Sequence, residues 1–147
     1  MNAIMLSMNA HEIAAITCGR KRAGVMKKRP QFLDLPFKIY LYETRGQLKN
    51  KQNISYTTYK HDGRGEVVGE CVCHTIRDSD DPRVLDHMNM IGMTHPEYSD
   101  YFGGKIGHVF YFSGVKMYDK PLPVERFGKK SPPQSWYHID YGEMRAF

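Results

Sequence analysis

The chain has 147 residues, 41% of them hydrophobic and 25% charged, and its 21 lysines and arginines against 16 acids leave a formal charge of +5. That length fits one domain spanning 1–147 and burying roughly 70% of its unfolded surface, and the apolar share is too large for general disorder. The opening MNAIMLSM has neither the charged leader nor the apolar stretch of a secretory signal, and no later apolar run approaches about 18 residues, so the expectation is a soluble cytoplasmic protein with no membrane contact.

Ala3 to Ser7 is short and apolar, as in a first strand buried at the centre of a sheet. Asn9 then precedes Ala10, Ile13, Ala14 and Thr17 at helical spacing. Glu12 stands three residues after Asn9, close to a capping box, and Gly19 supplies a left-handed stop. Arg20, Lys21, Arg22, Lys27, Lys28 and Arg29 follow within ten residues, with no acid among them. Two readings stand for this run: a solvated basic face that serves solubility, or a surface that attracts polyanions.

Pro30 and Pro36 bracket a connection. Phe37, Ile39 and Leu41 then alternate with Lys38, Tyr40 and Tyr42, the pattern of a half-buried strand. Residues 45–65 are polar, with Gly at both ends and Tyr56 and Tyr59 between, and read as a long, mobile excursion. Strand character returns from Glu66 to Ile76. Asp78-Ser79-Asp80-Asp81-Pro82 is a turn leading to a helix, followed by Met88, Met90 and Met93. Thr94 with Glu97 is a second cap for a short helix that stops at Gly103-Gly104, and strands over Val109–Met117 and Ser135–Ile139 complete the pattern. The order predicts an α+β domain with a small curled sheet.

Several segments carry a resemblance: MNAIMLS, the helix ending in Gly19-Arg20-Lys21, LPFKIYLYET, GEVVGECVC, VKMYDKP and, shortly after, PPQSW. In this order and over nearly the whole chain, they resemble the ASCH-domain proteins of phages and prophages. The resemblance implies a PUA-like curled β-barrel with two or three short helices, whose cleft beside the first helix takes RNA or a nucleobase in several relatives. Relatives often carry G-x-K-x-x-E-x-R; Gly19 and Lys21 match, while Gly24 and Met26 stand in the places of Glu and Arg. Other relatives are small amidohydrolases that remove an acyl group from the exocyclic nitrogen of cytidine through Lys, Thr and Glu. Carried over by position, Lys21 matches the lysine and Glu70 the glutamate, and the threonine falls on Gly24.

Some residues have a case of their own. Glu70 shares a predicted strand face with Val68 and Val72, so it needs a partner such as Lys21, or a carboxyl pKa raised by desolvation. Such a pair can hold a base edge, move a proton or serve as a structural ion pair. Trp136, the single tryptophan, follows Pro132-Pro133 and Ser135; it is either core or a ring presented for base stacking. Tyr40 and Tyr42, alternating with Lys38, suit either a nucleic-acid surface or packing beneath a helix. Three cysteines, with Cys71 and Cys73 one residue apart, argue against a disulfide framework. Cys73 and His74 point to opposite faces of a strand, so buried thiols explain the Cys pair better than a metal does.

No phosphate loop, nucleophile elbow or zinc motif is present, and no cofactor is implied. Three functions compete. The leading one is an RNA- or nucleotide-binding module that uses the basic run 20–29 with Lys21, Tyr42, Glu70, Ser135 and Trp136. The second is an amidohydrolase acting on an acylated cytidine through Lys21 and Glu70. The third is a phage anti-defence protein that meets a host protein, such as a CRISPR effector, through loop 46–64 and the methionines.

Overall fold

The computed structural model describes residues 3–31, 33–45, 63–141 and 144. Residues 46–62, most of the expected excursion at 45–65 and of loop 46–64, fall outside them. The elements run β1 (Ala3–Met8), α1 (Ala10–Thr17), β2 (Ala23–Met26), β3 (Phe37–Glu43), β4 (Glu66–Asp78), α2 (Pro82–Leu85), α3 (Met88–Ile91), α4 (His95–Phe102), β5 (His108–Leu122), a 3-10 turn at Val124–Phe127, and β6 (Trp136–Ile139). The six strands form one mixed sheet in the order β2-β5-β4-β3-β1-β6, curled into a half-barrel with β2 and β6 at its edges. β1 and β3 run parallel, with Ile4 opposite Ile39 and Leu6 opposite Leu41.

The two predicted caps form as capping boxes, Asn9 with Glu12 and Thr94 with Glu97, and the chain turns left-handed at Gly19 and Gly103. β1 reads as continuous apolar sequence because both its faces are covered, as parallel strands usually are. Ile4, Leu6 and Met8 enter the main core inside the curl with Ile39, Leu41 and Phe110. Ala3 and Met5 enter a second cluster on the outer face with Tyr40, Tyr42, Val124 and Phe127. The three later helices close a third cluster over Ala23, Val109 and Tyr111.

Three expectations are corrected here. β3 is buried on both faces rather than half-buried, because the 3-10 turn lays Phe127 over Tyr40 with the rings 4.8 Å apart. The basic run is not one surface: Ala23–Met26 inside it pairs with Val109 and its neighbours as edge strand β2, so its cations gather at the two ends of a strand. In β4, Leu41 faces Gly69 while Tyr42 faces Val67, leaving Val68 as the extra residue of a bulge. That bulge turns Val68 into the main core, whereas Glu70, opposite Tyr40, lies on the other face.

β2 meets β5 closely because residue 24 has no side chain. A Cβ on Gly24 would come within 2.4 Å of Cζ of the Phe110 ring, which is fully buried. Gly24→Ala is therefore expected to cost about 1–3 kcal/mol by overpacking. In a Phe110→Leu background the same change costs less, and urea midpoints of the four proteins in the cycle measure the difference.

Candidate functional site

The site begins where α1 ends. Cys18 closes the helix, Gly19 takes φ +85°, and the amides of Arg20 and Lys21 both donate to the Ala15 carbonyl, at 2.9 and 3.0 Å. This reversal drives Lys21 inward. Its side chain is 7% exposed, and Nζ donates to the Ile91 carbonyl at 2.7 Å. That oxygen stands at the C-terminal end of α3, where helix carbonyls lack intrahelical partners. Burial pushes the Lys21 pKa down, and the Glu12 carboxylate works in the opposite direction.

Lys21 lines a cleft of about 690 Å³. Its floor is apolar, from Leu6, Met8 and Phe110; its rim carries Arg20 and Arg22 on one side and Gln134 and Ser135 on the other. Glu12 and Tyr101 complete the wall. Glu12 was legible in the sequence only as a cap; its second position, beside Lys21, depends on the fold.

A second, more open depression of about 990 Å³ lies at the other end of β2. Lys27, Lys28 and Arg29 line it together with Trp136 and His138. Trp136 is half-buried against the main core, and its ring meets His138 edge-on with centroids 5.3 Å apart, so it is both a packing group and a wall of the depression. Lys27 Nζ sits 5.0 Å above the Tyr101 ring. His108 also lines this depression; its Nδ1 is buried, 3.6 Å from Asp78 and without a hydrogen bond among the described residues. No ion pair among the described residues takes up any cation of 20–22 or 27–29.

The structure does not bring Lys21 and Glu70 together. Glu70 accepts from the Tyr118 hydroxyl at 2.7 Å and pairs with Lys38 Nζ at 3.0 Å. Burial raises the Glu70 pKa, but the Tyr118 hydroxyl and the Lys38 ammonium together outweigh it, so the carboxyl ends below its usual value. Tyr42 is 6% exposed in the outer cluster and lines neither depression. Met88 is buried in the third cluster; Met90 and Met93 pack against it half-buried, and Met93 also lines the Lys21 cleft. Cys71 and Cys73 are buried free thiols, pushed up to about 12 and about 11 by desolvation, and His74 faces outward.

Two pH dependences follow. Between the lowered pKa of Lys21 in the folded chain and its ordinary value of 10.5, the unfolded chain holds a proton that the folded one has released. Stability therefore rises with pH through that window. Urea midpoints of the wild type should gain on those of Lys21→Met as pH rises through it and run parallel below it. For Glu70 the slope has the same sign, because its folded pKa is also lowered: its ion-paired form stabilises above the ordinary carboxyl pKa of 4.5, and the gain is lost as pH falls through the lowered folded value. Tyr118→Phe should move that loss to higher pH, measured as the Glu70 carboxyl titration by NMR.

No family model and no curated protein matches the sequence. The structure is similar to the crystal structure of ASCH from Zymomonas mobilis, at 19% identity and a TM-score of 0.71, over 96% of this chain and 90% of that one. A serine-to-alanine mutant of that protein matches at 19% identity and TM-score 0.69, over 96% and 90% of the two chains. A tyrosine-to-phenylalanine mutant matches at the same identity and score, over 97% and 94%. With its mixed curled sheet, short helices and cleft beside the first helix, the chain has the α+β, PUA-like fold of the ASCH domain.

Proposed function

We propose that this chain is an RNA- or nucleotide-binding module whose Lys21 cleft receives a base or modified nucleotide. One observation carries the reading: a buried ammonium that, among the described residues, uses a single acceptor and sits in a concave pocket between cations without a carboxylate ion-pair partner. An ammonium has three donors, so Lys21 has hydrogen bonds to offer an incoming carbonyl or phosphate oxygen. Arg20 and Arg22 at the rim attract the phosphate chain. The resemblance supplies the setting, a phage-encoded protein at work in the cytoplasm.

The acyl-cytidine reading loses its constellation, because Glu70 is held by Lys38 and Tyr118, and a side chain at position 24 would run into Phe110. For a host-protein partner, of the features named in the sequence, Met88 is buried, Met90 and Met93 are half-buried, and most of loop 46–64 lies outside the described residues.

A salt-series titration against short single-stranded RNA, duplex RNA and DNA tests the proposal. RNA affinity should fall with salt, with a log–log slope of about 0.7 per phosphate contacted on a single strand, and Lys28→Ala should reduce that slope by about 0.7. Lys21→Met, which keeps the buried stem, should weaken binding by about 1.5–3 kcal/mol if it removes a charge-assisted hydrogen bond. No binding to RNA, or an affinity indifferent to salt, would overturn the reading.

A further inference from the structure

The two depressions open from one seam. On each of three strands, the lining passes from the first to the second within a few residues: Ser135 to Trp136 before and in β6, Val25 to Lys27 along β2, and Phe110 to His108 along β5. Two residues along a strand span about 6.6 Å, so the separation is about one step of an extended nucleotide chain. Leu6, in the apolar floor of the first cleft, stands directly opposite Trp136 in the β1–β6 pairing. The seam lies between β2 and β6, the two edges that the curled sheet leaves unpaired with each other.

Resting on the reading above, we infer that the site takes at least two successive nucleotides of a single RNA strand, one base in the Lys21 cleft and the next stacked on the Trp136–His138 pair. The two stations differ in chemistry. The first has an apolar floor and a buried ammonium, which suits a base inserted by its edge. The second brings two aromatic rings into one lining with Lys28 and Arg29, the combination of ring platform and backbone cations by which proteins hold single strands. A duplex cannot use both stations, because its bases are stacked and paired rather than splayed apart.

Trp136 is the single tryptophan, so its fluorescence reports the second station directly. The full chain is titrated with fluorescein-labelled adenosine monophosphate, with labelled oligoadenylates of two, four and six nucleotides, and with a labelled duplex. Anisotropy gives affinity, and Trp136 emission gives stacking. Affinity should rise sharply from one nucleotide to two or more, Trp136 emission should be quenched only from two upward, and the duplex should bind more weakly than the single strand. Trp136→Leu should reduce the tetranucleotide's advantage over the mononucleotide by roughly 5- to 150-fold. Equal affinity for one and four nucleotides with unchanged Trp136 emission, or preference for the duplex, overturns the two-station inference while leaving the binding module in place. Absence of binding at every length overturns both.

Discussion

The cleft end of the molecule depends on one buried ammonium. Desolvating a lysine is costly, and Lys21 meets that cost with a backbone carbonyl rather than a directly bonded carboxylate. The hydrogen bond to Ile91 ties the start of β2 to α3. Two further backbone bonds hold the same stretch, from the Arg22 amide to Met90 at 2.8 Å and from the Phe112 amide to Arg22 at 3.1 Å. On its other side, the double use of the Ala15 carbonyl fixes the exit from α1. Helix, edge strand and α3 are thus held to a common point, and the cleft is the space they leave above Phe110.

What the sequence made legible was local. Both capping boxes, the glycine stops at 19 and 103, the buried first strand and the strand over 37–42 depend on residues within a few positions of one another. What it hid was long-range. β2 has four residues without a clear period, two of them small, and becomes a strand only by pairing with β5 more than 80 residues later. The burial of Tyr40 and Tyr42 needs the 3-10 turn at Val124–Phe127, whose arrival over β3 no local pattern announces.

The site divides in the same way. The density of charge marked 20–29, and Lys21 within it, but the split of that run into two clefts comes from β2. The partner assigned to Glu70 differed for a similar reason. Strict alternation puts Glu70 with Val68, whereas one extra residue at the bulge separates them and sets Glu70 on the face of Lys38 and Tyr118. Trp136, for which core and exposed ring were alternatives, is partly both: it packs on the main core and still walls the second depression.

Position 24 shows packing and chemistry competing for the same space. Any side chain there would contend with the Phe110 ring, and that ring forms the floor of the Lys21 cleft. A hydroxyl nucleophile at 24 and this floor therefore exclude each other unless the ring moves. Glycine leaves room for that ring, while Lys21, Arg20 and Arg22, with the Glu12 carboxylate among them, make the charged part of the lining. Acyl transfer needs an activated nucleophile at the same point, and the apolar floor supplies none. The glycine at 24 thus leaves that point of the cleft lining without a side-chain nucleophile.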